Sequence, residues 1–90
     1  LSAAERPLAR LLNRVLAEAL RRLRAGEDVD AVERRAAAEL RAAGFAQVDY
    51  VEARRPADLS RLGPGPAHGP IRILAAAHLG RTRLIDNMGD

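Results

Sequence analysis

Cysteine is absent from the 90 residues, which excludes disulfides, thiolate metal sites and a cysteine nucleophile, and points to a reducing, cytoplasmic setting. Tryptophan is absent as well, and Phe45 and Tyr50 are the only aromatic residues, so there is no platform on which nucleic-acid bases would stack. No long apolar run occurs. The stretch from Ile73 to Ala77 is among the longest, against roughly 20 residues needed to span a bilayer. No basic segment followed by an apolar one opens the chain, so neither a signal peptide nor a membrane anchor is expected. Lysine is missing too: all fifteen basic residues are arginine, the usage of a GC-rich coding sequence. Against twelve carboxylates they leave a net charge of +3, too mild an excess to name a nucleic-acid partner.

Ninety residues make one small domain, 1–90, with a core only just large enough to be stable without staples. The first residue is Leu1 rather than Met, as expected of a segment from a longer polypeptide. Ser2-Ala3-Ala4-Glu5 reads as a capping box. Leu8, Leu12, Val15, Ala19 and Leu23 then recur at helical spacing opposite Arg6, Arg10, Arg14 and Arg21. Pro7 falls within the first turn and Gly26 ends the helix. A second helix is expected to be capped by Asp30 with Glu33, with Val32, Ala36, Leu40 and Ala43 on one face as far as Gly44.

From Gln47 to Arg54 the residues favour a strand, with Val48 and Tyr50 on one face and Val51 on the other. Pro56 to Leu62 suits a short helix, and Gly63-Pro64-Gly65-Pro66-Ala67-His68-Gly69-Pro70 is a long surface loop. Two strands follow, Ile71 to His78 and Thr82 to Met88, joined by a turn at Gly80. The predicted architecture is α+β: a helical hairpin packed on a small three-stranded antiparallel sheet, with one short extra helix.

Few residues suggest chemistry. His68 and His78 do not share a metal-ligand spacing. Ser2 is placed as a cap, Ser60 lies in the short helix, and no motif sets a base beside either. The Gly63 to Pro66 tract is not a phosphate cradle, because proline has no amide to offer. Arg21, Arg22, Arg24, Arg34 and Arg35 are read as a solvated face balanced by carboxylates rather than as a nucleic-acid site. Alternation places Arg81, Arg83, Ile85 and Asn87 on one face of the last strand, where a guanidinium is suited to pair with Asp49 or Glu52 across the sheet, with contact to an anionic substrate as the less favoured alternative.

Several stretches together resemble one family. Leu1-Ser2 followed by Glu5-Arg6 is similar to its Tyr-Leu-Ser-x-x-x-Arg stretch. Gly44-Phe45 leading to Asp49-Tyr50-Val51-Glu52-Ala53-Arg54 resembles its Asp-Tyr-x-Glu-x-Arg strand. Ile73-Leu74-Ala75-Ala76-Ala77 and Leu79-Gly80 through Arg83-Leu84-Ile85-Asp86-Asn87 are similar to its closing hairpin. The family is pantoate-β-alanine ligase, or pantothenate synthetase. The resemblance implies the C-terminal lid domain of an ATP-dependent, magnesium-dependent, AMP-forming ligase that joins pantoate to β-alanine through pantoyl adenylate. It implies as partners the N-terminal Rossmann-like catalytic domain of the same polypeptide, the substrates pantoate and β-alanine, and a second subunit in a homodimer. It carries no catalytic, cofactor-binding or metal-binding residue onto these 90 positions, and this segment alone is expected to be inactive and to bind neither ATP nor magnesium. The alternative is a free-standing interaction module, a small homodimer or a binder of acidic ligands.

Overall fold

The computed structural model describes Ala3 and residues 6–89, so the capping box assigned to Ser2 and Glu5 lies outside the described residues. Helix α1 runs Arg6–Arg24 and buries Leu12, Val15, Leu16, Ala19, Leu20 and Leu23, the stripe expected from the three- and four-residue spacing. A Schellman closure stops it: Glu27 N donates to Arg22 O at 3.2 Å and Gly26 N to Leu23 O at 3.1 Å, with Gly26 at φ 91°.

Helix α2, Val29–Ala42, starts two residues earlier than the sequence suggested. Its cap is Asp28, not Asp30: the Asp28 carboxylate accepts from Ala31 N at 2.8 Å and also from Gly65 N at 2.6 Å. Glu33 does not reach back to close a capping box because it is spent elsewhere. It lies on the buried face of α2, and its Oε2 accepts from Ala53 N at 2.7 Å. The helix ends as α1 does, with Phe45 N donating to Leu40 O at 3.2 Å while both side chains enter the core.

Strands β1 (Gln47–Arg54), β2 (Arg72–Leu79) and β3 (Thr82–Gly89) form an antiparallel sheet in the order β1-β2-β3. The helices cover one face, meeting Val51, Ala53, Ile73, Ala75 and Ala77 in a single core. One expectation fails at β1. The register slips between Val48 and Tyr50, so an extra residue, Asp49, sits in a β-bulge. Val48 therefore packs toward the core and Tyr50 toward the opposite face, where strict alternation had put them together.

The short helix expected at Pro56 to Leu62 is also absent. Residues 56–58 make a turn, the Asp58 carboxylate takes Ser60 N at 2.9 Å and Ser60 Oγ at 2.7 Å, and Leu59 adopts φ 60°. A side chain that bonds the backbone two residues on offers the chain a turn in place of a helix. The segment then runs back along the free side of β1. Arg55 N donates to Ser60 O at 2.9 Å and Leu62 N to Ala53 O at 3.0 Å, closing that edge of the sheet. The Gly/Pro-rich stretch 63–70 is a loop as expected, moored to the start of α2 through Val29 N to Gly65 O at 2.9 Å.

Candidate functional site

With the helices on one side, the other face of the sheet is where polar and apolar side chains meet solvent together. Its composition follows from the register. Gln47 and Arg83 both oppose His78, Tyr50 and Ile85 flank Ala76, and Glu52 and Asn87 flank Leu74. The residues carrying the strand resemblances, Asp49, Tyr50, Glu52, Arg54, Arg83, Ile85 and Asn87, thus gather here.

At one end of the face, Asp49 projects from the bulge toward both neighbouring strands. Its Oδ2 lies 3.1 Å from His78 Nε2 and accepts from Arg83 Nε at 2.9 Å. The Arg83 hydrogen bond is the main cause that holds the Asp49 carboxyl below the usual aspartate range, against the opposing effect of desolvation, and His78 adds a lesser contribution in the same direction. Of the partners open to a guanidinium on this hairpin, Arg83 takes Asp49. At the other end, Arg54 Nη2 donates to Glu52 Oε1 at 2.5 Å and Nη1 to Leu59 O at 2.6 Å, while Arg72 Nη1 donates to Asn87 Oδ1. Between these ends lies an apolar centre made of Tyr50, Leu74, Ala76 and Ile85. A shallow concavity lined by Tyr50, Glu52, Arg54, Leu59 and Leu74 opens beside it.

Glu33 forms the second polar constellation, and it is the only buried charged residue among those described. Besides Ala53 N, it accepts from Arg61 Nη2 at 2.9 Å, and Arg61 Nε lies 3.5 Å from Glu52 Oε2. Burial pushes the Glu33 carboxyl above its ordinary value, while the Ala53 amide and Arg61 oppose that shift. Glu33 clamps α2 to the edge of β1. Its signal in the sequence was a carboxylate on the apolar face of a helix, between Val29, Val32 and Ala36.

The remaining candidates separate. His68 is exposed and lines a shallow groove with Arg55, Pro56, Ala57 and Pro70, away from His78. Among the described residues no three His, Asp or Glu side chains come together as metal ligands. Ser60 donates its hydroxyl to Asp58 in a local turn, and its oxygen accepts from Arg55 Nη1 at 3.2 Å. In the helical arginine cluster, Arg21 and Arg22 pair with Glu18, and Arg35 with Glu39. The arrangement can bind and position through hydrogen bonds, ion pairs and apolar contact.

Comparison with known proteins gives a consistent result. A family model described as pantoate-beta-alanine ligase matches residues 1–89. The pantothenate synthetase of Caulobacter vibrioides is 54% identical over 89 residues, covering 98% of this chain and 31% of the relative. That of Nitrobacter hamburgensis is 45% identical over 89 residues, covering 99% and 31%. The crystal structure of pantothenate synthetase from Thermus thermophilus superposes with a TM-score of 0.80 at 28% identity, over 98% of this chain and 31% of that one. The chain therefore spans about a third of the length of these relatives.

Proposed function

Because this chain belongs to the pantoate-β-alanine ligase family, we propose that it is the C-terminal lid domain of such a ligase and covers the active site built by the rest of the polypeptide. The observation that carries this reading is the extent of the match, nearly all of this chain but 31% of the Caulobacter relative. The whole enzyme would condense pantoate with β-alanine at the expense of ATP and magnesium, forming pantoyl adenylate and releasing pyrophosphate and then AMP. Nothing in the Gly63 to Pro66 tract favours a bound phosphate, and among the described residues no cluster of His, Asp or Glu favours a metal. The amide of Gly65 is already taken by Asp28, Pro64 and Pro66 have none, and no carboxylate cluster faces a common point. Those groups belong to the remainder of the ligase, together with pantoate and β-alanine.

What this domain supplies is exclusion of water. An acyl adenylate is hydrolysed if solvent reaches it, so a rigid cover that closes over the bound intermediate preserves it for the amine. A fold made of one core, with both hairpin helices clamped to the sheet, suits that task. We propose further that the enzyme works as a homodimer in the cytoplasm; no helix among the described residues is long and apolar enough to cross a membrane.

The test is an assay of the full-length protein and of the 90-residue segment for pantothenate formation from pantoate, β-alanine and ATP. Activity of the full-length protein alone is expected. A full-length protein that makes no pantothenate would overturn the reading and favour the interaction module. Pyrophosphate release by the segment itself would overturn its role as a cover.

A further inference from the structure

Glu33 is the buried root of a chain of charged side chains that ends in the open. Its Oε1 accepts from Arg61 Nη2 at 2.9 Å, Arg61 Nε lies 3.5 Å from Glu52 Oε2, and Glu52 Oε1 accepts from Arg54 Nη2 at 2.5 Å. The clamp of α2 on β1 needs only Glu33 and the Ala53 amide, so folding gives no reason for the charges to continue to Arg54. A second fixture holds the same guanidinium. Arg54 Nη1 donates to Leu59 O at 2.6 Å, and Leu59 is kept at φ 60°, the left-handed region that leucine avoids. Strain held in place by its surroundings gathers at sites of function, and here it aims a carbonyl at one arginine. These bonds engage two of the five N–H donors of Arg54, which borders the concavity with Tyr50, Leu59 and Leu74. Arg72 stands directly opposite Arg54 in the register and donates to neutral Asn87. Like charges so placed repel, and a bound anion would relieve them.

We propose that Arg54 binds the carboxylate of β-alanine, with Glu52 and the Leu59 carbonyl as the groups that position it; the inference rests on the function proposed above. The chemistry of that reaction chooses the anion. In the second half-reaction the pantoate carboxyl is already consumed in the acyl adenylate and pyrophosphate has departed, so the free carboxylate among the reactants is that of β-alanine. A guanidinium offers the planar fork that a carboxylate matches, and Glu52, which would repel it, is neutralised from two sides by Arg54 and Arg61. Held by its carboxylate on the covering domain, β-alanine would be oriented with its amine toward the acyl carbon. The domain that keeps water from the intermediate would thus also present the amine that consumes it.

The experiment compares the full-length protein with its Arg54→Gln variant. Pantoate-dependent pyrophosphate release without β-alanine reads the first half-reaction, and pantothenate formation reads the second. The first should stay within about twofold of the parent, while KM for β-alanine rises about tenfold or more. Propylamine, which has the amine and lacks the carboxylate, separates recognition from structure: the parent should prefer β-alanine by kcat/KM, and Arg54→Gln should lose about tenfold or more of that preference. Arg54→Lys keeps the charge without the fork and should lose severalfold; it carries the test if Arg54→Gln fails to fold and loses the first half-reaction. An unchanged KM and preference for β-alanine, or a rise in KM confined to ATP or pantoate, would overturn the proposal. An active parent with that outcome loses the site but retains the ligase, whereas a parent that makes no pantothenate overturns the ligase function and the site with it.

Discussion

Replacing Glu33 with alanine removes the clamp between α2 and the edge of β1. The Ala53 amide then loses its acceptor at a position with no exposure to solvent. An orphaned buried donor costs about 1–3 kcal/mol, and the lost bond had a charged acceptor, which places the change toward the upper half of that range, about 2–3 kcal/mol. Arg61 adds little because its side chain is half-exposed. With an unfolding entropy of about 2.1 cal/mol/K per residue, the chain should lose roughly 10–15 °C in Tm. Glu33→Gln should behave differently. Its amide oxygen still accepts from Ala53 N, and it no longer carries a charge into the core, so stability should stay within about 1 kcal/mol of the parent. The pH dependence gives the sign. Burial raises the Glu33 pKa in the folded state, so the folded chain binds the proton more tightly than the unfolded one. Stability from this group therefore falls as pH rises from the ordinary glutamate range through the raised value. Glu33→Gln lacks that loss, and its stability relative to the parent should improve across that window. Thermal and urea melts of the three proteins at several pH values measure all of this. A Glu33→Gln variant as damaged as Glu33→Ala, or a Glu33→Ala variant that melts with the parent, would refute the reasoning.

Asp49→Asn should cost a little stability at neutral pH and flatten the acid limb to the same extent, because the contribution of the depressed carboxyl is present in the parent at neutral pH and is lost as pH falls through the folded-state pKa; acid-induced unfolding followed by circular dichroism reads this. Asp28→Ala should lower Tm and speed hydrogen exchange at Ala31 and Gly65 together, since one carboxylate serves both amides; faster exchange at Ala31 alone would mean that the loop has another anchor. Leu59→Gly should be neutral or stabilising by up to about 1 kcal/mol, because relief of left-handed strain offsets the entropy that glycine adds to the unfolded chain. A clear loss of stability in urea would show that Leu59 packs more than its exposure indicates.

Most of the architecture was legible in the residues. The apolar spacing of Leu12, Val15, Ala19 and Leu23 marks the buried side of α1, and alternation in β3 put Arg83 on the face where it meets Asp49. What escaped was decided by single side chains competing for backbone groups. The Asp30 and Glu33 spacing favoured Asp30 as the cap, but Asp28 takes that place, where its carboxylate also serves Gly65, far along the chain. The expected short helix lost to Asp58 taking the amide of Ser60. The bulge at Asp49 leaves no local mark, yet one inserted residue sends Tyr50 to the opposite face from Val48. Glu33 was visible as a carboxylate among apolar neighbours, but its partner Ala53 belongs to a strand edge that exists only once the fold has formed. Leu59, expected within that short helix, is instead presented by a turn at φ 60°.

The measurement that tests the central claim most directly is pyrophosphate release by the full-length protein given pantoate and ATP without β-alanine. If this domain shields the acyl adenylate, release should be a burst that stops when the active sites are filled, and adding β-alanine should restart turnover with pantothenate formed in step. Steady release without β-alanine, accompanied by regeneration of free pantoate, would mean that water reaches the intermediate and that the domain is not its cover.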